Sequence, residues 1–302
     1  MATLPRLLHR AKRLPALVTM QHGTVLCTAA LALLLGGCAS GVRVNNSFTS
    51  ENQDSRVLFL VLHYTVGNFE SSLKMLTQPS SRPVSSHYLV RDDPVVTYQL
   101  VNETNRAWHA GPSFWKGHNN LNASSVGIEI VNPGWVKGPD GTPVYAPFSE
   151  KQIDEVVALC REIVARHEIK PDRIVGHADI APGRKQDPGP LFPWKRLADV
   201  GLIAWPDADM VANRKVVYEM QLPDAAWFQG KLADYGFGTS RSGAFDELTR
   251  DSLATFQMKF RPSKYDGQMD AETAALLDVV NTAEGMRLTA PTAPGRPYTS
   301  RW

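Results

Sequence analysis

Three side chains in this chain carry the chemistry of a hydrolytic metal site. His63 ends an apolar run at residues 57–62, and His177 ends a shorter one at residues 173–176. Asp187 follows inside the loop Arg184-Lys185-Gln186-Asp187-Pro188-Gly189-Pro190. Two imidazoles and a carboxylate make a ligand set that leaves one position of a tetrahedral zinc ion (Zn2+, one per chain) open for water. Zinc lowers the pKa of such a water to about 7, so hydroxide is available at neutral pH. Strand ends are rigid mounts, and a proline-rich loop has little conformational freedom left to lose.

Two further residues suit proton transfer. Glu129 stands in the middle of the apolar run at residues 126–131. An unpaired buried carboxylate costs on the order of several kcal/mol as an anion, so it needs a partner or a task. A raised pKa would fit it for general-base work. Lys185 could set a cation beside a developing oxyanion. Each residue also has an ordinary reading. A strand-end histidine is more often structural, a buried Glu is as often salt-bridged, and no HExxH motif is present. Spacing by itself leaves a zinc hydrolase as one reading among several.

The elements that must hold these residues follow from hydrophobic pattern. Residues 57–62 are apolar on both alternating faces, which predicts a central strand covered on both sides. Residues 86–90, 95–100 and 126–131 read as strands, and 71–76 as a short helix. Residues 149–167 read as the clearest helix, with Ser149 and Gln152 as a capping box. Its apolar stripe is Ile153, Val156, Val157, Cys160, Ile163 and Val164. Alternating strands and helices predict an α/β fold, a mixed central β-sheet flanked by helices, over residues 56–210. Helical stretches near 225–235, 246–260 and 270–280 predict a small three-helix domain over residues 221–281. Residues 285–302, rich in Pro, Thr and Arg, read as a disordered tail.

The N-terminus reads as a targeting segment. Arg6, Arg10, Lys12 and Arg13 precede an apolar run at residues 25–35, too short to span a bilayer. It leads into Leu35-Gly36-Gly37-Cys38, which resembles a lipobox. The expected mature protein starts at a lipidated (palmitate-bearing) Cys38, with residues 38–55 as a tether. A start at Met20 would leave no basic residue before the apolar run. Residues 1–37 hold four basic and no acidic residues, so the formal charge of +2 becomes −2 on their removal. That balance gives no reason to expect nucleic acid. Only Cys160 would remain as a thiol, so no internal disulfide can form.

Five segments occur in order: Leu62-His63-Tyr64-Thr65; Ser86-His87-Tyr88; Ala107-Trp108-His109-Ala110-Gly111; Val126-Gly127-Ile128-Glu129; and residues 176–189, Gly-His-Ala-Asp-Ile-Ala-Pro-Gly-Arg-Lys-Gln-Asp-Pro-Gly. Together they resemble the type 2 N-acetylmuramoyl-L-alanine amidases, which share the peptidoglycan-recognition-protein fold. The resemblance implies zinc held by His63, His177 and Asp187, with Glu129 as catalytic base and Lys185 as transition-state stabiliser. It implies hydrolysis of the bond between N-acetylmuramic acid and L-alanine in peptidoglycan or muropeptides. Tyr64, Thr65, His87, Trp108, His109, Asn122 and Arg184 fall on positions expected to line the substrate groove. The C-terminal helices resemble a peptidoglycan-binding domain. The expected protein is a monomeric envelope lipoprotein, and Ala39 after the lipidated cysteine points to the outer membrane. The rival expectations are a non-catalytic peptidoglycan receptor of the same fold and a zinc peptidase acting within the stem peptide.

Overall fold

Unbroken apolar sequence puts β1 (Phe59–Tyr64) at the middle of a sheet, where all six residues are buried. The computed structural model describes residues 42, 44–290 and 293–297. The targeting segment and Cys38 lie outside the described residues. After β1 come α1 (Phe69–Thr77), β2 (Tyr88–Val90), β3 (Thr97–Gln99), the hairpin β4 (Phe114–Trp115) and β5 (His118–Asn119), and β6 (Ser125–Ile130). A second hairpin pairs β7 (Trp135–Lys137) with β8 (Pro143–Tyr145), and the long helix α2 (Glu150–His167) follows. The chain continues through β9 (Ile174–Gly176), the single turn α3 (His177–Ile180), α4 (Trp194–Asp199) and β10 (Trp205–Pro206). It ends with α5 (Ala208–Met220), α6 (Ala225–Tyr235), α7 (Glu247–Phe260), α8 (Ala271–Val280), β11 (Met286–Ala290) and β12 (Ala293–Pro297).

The sheet is mixed, in the order β3-β2-β6-β1-β9. β1 runs parallel to β6 and β9, and β2 runs parallel to β6 and antiparallel to β3. This is the expected mixed sheet flanked by helices. Side chains alternate across a strand, so β1 feeds two cores. Leu60 and Leu62 pack with Val126, Ile128 and Ile130 beneath the stripe of α2, including Cys160. Phe59 and Val61 pack instead with Val175 and Ile180 against Phe228, Leu232, Phe256 and Leu277 of the C-terminal helices. Those helices supply the second cover that the two-faced β1 pattern requires. From Asp54 onward the chain forms one compact unit.

The capping box and the disordered tail need correction, and one helix lies outside the expected elements. The Ser149 hydroxyl does accept the Gln152 N–H, at 3.2 Å, but the Gln152 side chain does not return to complete a capping box. It is buried and donates to the carbonyls of Val131 (2.8 Å) and Val90 (3.4 Å), which ties α2 to β6 and β2. Helix α5 precedes the three expected C-terminal helices. It buries no residue completely and touches the core only through Val211 and Tyr218, so its sequence carries no stripe. The segment read as a disordered tail contains β11, which pairs antiparallel with β10 and β12. The backbone ladder satisfies a segment whose side chains show no periodicity.

Candidate metal centre

Register brings the chemistry to one end and one face of the sheet. His63 of β1 lies opposite Glu129 of β6, so both side chains share a face. Leu62 lies opposite Gly176, the last residue of β9, and His177 follows at once. Asp187 arrives on its loop, where its carbonyl accepts the Ala178 N–H at 2.8 Å. His63 Nδ1, His177 Nδ1 and Asp187 Oδ2 converge, with separations of 2.9, 3.0 and 3.1 Å. All three residues are buried. Tetrahedral zinc with N and O ligands at its usual bond lengths holds ligand atoms about 3.3 Å apart.

The outer hydrogen bonds assign the protons. His177 Nε2 lies 3.0 Å from the Ala110 carbonyl, which can only accept, so this nitrogen carries the hydrogen. Ser125 Oγ donates to the Leu121 carbonyl at 2.6 Å and therefore accepts from His109 Nε2 at 3.1 Å. That leaves His109 Nδ1 bare to accept from His63 Nε2 at 3.0 Å. Both ligand-like Nδ1 atoms are thus lone pairs facing a carboxylate. Three acceptors converge with no donor among them, and a cation satisfies all three. Burial, then the neighbouring His177, lowers the His63 pKa to about 4, so the ring is neutral at pH 7.

Glu129 is placed as an acid–base group. Its Oε2 is buried and has no hydrogen-bond partner among the described residues. Burial raises its pKa well above 4.5, the Asp187 charge adds to the rise, and the cation of Lys185 opposes it. Lys185 is half-buried and lies close enough to act on both Glu129 and His63.

The residues expected along a groove divide. Trp108 is exposed, and Tyr64 packs with Tyr145 around Gly189 beside the centre. Thr65 is buried and donates to the Gly67 carbonyl at 3.1 Å. His87 requires correction: it is completely buried, its Nδ1 accepts the Gly127 N–H and its Nε2 faces the Asn105 carbonyl, so it cannot touch a substrate. His109 likewise uses both nitrogens inside the protein. Asn122 Oδ1 accepts the N–H groups of His109 and Ala110, which shapes the segment beneath His177. Arg184 donates to the carbonyls of Ala110 and Pro112 at 2.8 and 2.6 Å. A cavity of about 880 Å³ lies beside α2 and contains none of these residues. Ser125 and Asp179 orient the ligand segments through a ring or the backbone, and sequence reading assigned neither a role, although Asp179 lies inside the 176–189 motif three residues from its Gly176 partner.

Comparison with known proteins agrees with this geometry. The profile of the N-acetylmuramoyl-L-alanine amidase family matches residues 53–190, and that of a putative peptidoglycan binding domain matches residues 221–277. The chain is 42% identical to N-acetylmuramoyl-L-alanine amidase AmiD of Escherichia coli (strain K12) over 266 residues, covering 83% of this chain and 95% of that one. The 1,6-anhydro-N-acetylmuramyl-L-alanine amidase AmpD of Enterobacter cloacae is 40% identical over 114 residues, 38% of this chain and 55% of that protein. Among solved structures, E. coli AmiD in complex with anhydro-N-acetylmuramic acid-L-Ala-D-gamma-Glu-L-Lys superposes with a TM-score of 0.71 at 41% identity, covering 79% and 93% of the two chains. AMPDH3 of Pseudomonas aeruginosa, bound to an anhydromuramic pentapeptide, gives 0.72 at 37% identity, covering 79% and 96%.

Proposed function

The chain belongs to the N-acetylmuramoyl-L-alanine amidase family, and from that premise we propose that it hydrolyses the amide between N-acetylmuramic acid and L-alanine in peptidoglycan fragments. The observation that carries this is the convergence of two bare Nδ1 atoms and a carboxylate near Glu129, whose Oε2 is buried and unpartnered among the described residues. A zinc ion held by His63, His177 and Asp187 would supply Lewis acidity at the scissile carbonyl and an acidified water. Glu129 takes the proton of the attacking water, which its raised pKa suits it to hold. It then delivers that proton to the departing L-alanine nitrogen. Lys185 sets a positive charge near the carbonyl oxygen as that oxygen gains negative charge. Trp108, which is exposed, is the groove position best placed to meet substrate.

The receptor reading is disfavoured because the ligand set and Glu129 are all present. The test is digestion of a defined muropeptide followed by product mass. Free stem peptide beginning with L-alanine, lost with a chelator and restored by zinc, is the expected result. Shortened stem peptides would support the peptidase reading, and intact substrate the receptor.

We further read the helices at 221–281 as a peptidoglycan-binding part that raises local substrate concentration. Lipidation at Cys38 would hold the enzyme in the envelope, at the outer membrane. Among the described residues, no helix is long and apolar enough to cross a membrane. Cys38→Ser should move the protein from the detergent phase to the aqueous phase.

A further inference from the structure

A charge from the C-terminal helices reaches the segment that carries His177. Lys259 of α7 is 6% exposed at its side chain, and its Nζ donates to Asp179 Oδ2 at 3.0 Å. Its ammonium also lies 4.2 Å from the centre of the Trp194 ring. Asp179 is equally buried, and the same Oδ2 accepts the Gly176 N–H at 2.8 Å. Gly176 immediately precedes His177. It also packs where a Cβ would come within 2.7 Å of Pro188 Cδ and 3.4 Å of the Asp187 carbonyl. The Ala178 N–H holds that same carbonyl at 2.8 Å. Residues 176–179, which present His177, and residues 187–188, which present Asp187, are thus one knot, and its buried counter-ion comes from about 80 residues away in sequence.

An ion pair this deep is a poor source of net stability, because desolvation offsets its attraction. Its geometric consequence is specific: the cation fixes the carboxylate that fixes the backbone before a ligand. We infer that Lys259 is a positioning residue of the metal centre, so the C-terminal helices set the metal affinity and geometry of the amidase site as well as covering its sheet. The inference rests on the metal reading above.

The full-length protein tests it. Zinc affinity is measured by competition with a chromophoric chelator, and site geometry by the visible spectrum of the cobalt-substituted protein. Lys259→Met leaves Asp179 buried and unpaired, and zinc binding should weaken on the order of 10- to 100-fold with an altered cobalt spectrum. The double variant Asp179→Leu/Lys259→Met removes both charges and the Gly176 acceptor together. Its Tm should fall only modestly, since removal of two buried charges offsets the unmet Gly176 N–H, while zinc affinity falls by a similar factor. Lys231→Met, which breaks the Lys231–Asp278 pair within the C-terminal helices, should leave zinc affinity unchanged. Wild-type hydrogen exchange needs no variant: zinc should slow exchange in α7 as well as at the ligands, because coupling is reciprocal.

Zinc affinity and cobalt spectrum like those of the wild type in the double variant, or zinc protection confined to the ligand segments, would overturn the coupling alone. Wild-type protein that takes up no zinc would overturn the metal centre, and this inference with it.

Discussion

At Glu129, activity and stability pull in opposite directions. Its buried Oε2 has no partner and its pKa is raised by burial, so the folded state keeps a proton that the unfolded chain releases above about 4.5. Stability therefore falls as pH rises through that window. Glu129→Gln should abolish turnover while retaining zinc, and should raise the Tm of metal-free protein at pH 8 more than at pH 5. An equal Tm gain in both buffers would contradict the burial argument, and wild-type turnover would remove Glu129 as the base. His63 works in the other direction. Its folded pKa of about 4 lies below the ordinary 6.5, so the unfolded state binds more protons between those values. The contribution is present above about pH 6.5 and lost as pH falls toward 4, at up to about 1.4 kcal/mol per pH unit. Thermal scans of metal-free Glu129→Gln protein follow this slope together with those of His109 and His87, whose pKa values burial also lowers, and a flat Tm from pH 6.5 to 4.5 would oppose it.

Between elements, a missing side chain and a buried amide do the positioning. A Cβ on Gly127 would stand 2.5 Å from the His109 ring, so β6 admits the ring only because this residue is glycine. Gly127→Ala should push His109 off His63 Nε2, release the proton arrangement that leaves Nδ1 bare, and weaken zinc binding about tenfold or more. Overpacking should also cost about 1–3 kcal/mol of stability in denaturant titration. Gln152 joins α2 to two strands through carbonyls that have turned inward. Gln152→Leu leaves the Val131 carbonyl without this donor, while the Val90 carbonyl still accepts the Val131 N–H at 2.9 Å, and should destabilise by about 1–3 kcal/mol. It should leave the kcat of folded enzyme unchanged, since it acts on the face of the sheet opposite the metal centre.

Across the whole molecule, the sheet has two apolar faces and the C-terminal helices cover one of them. Ending the chain after Pro206 would expose Phe59, Val61, Val175 and Ile180 to water. An apolar patch of that kind drives association. The truncated protein should therefore aggregate or lose its near-ultraviolet circular dichroism, and should not persist as a soluble amidase domain. A monomeric, folded, active fragment would show that the helices are an accessory.

Sequence by itself determined the strands of the central sheet, α2, the three buried C-terminal helices and the residue types of the centre. These signals are local: alternation for β1, a helical stripe for α2, and a long motif at residues 176–189. Sequence could not say that His87 and His109 face inward, because a histidine of the same type serves as ligand, support or core filler according to what its second nitrogen meets. Nor could it pair Lys259 with Asp179, free the Gln152 side chain from its cap, or reveal β11, which is ordered by a strand from elsewhere. Each of these depends on contacts between segments far apart along the chain, and only the packed structure brings those segments together.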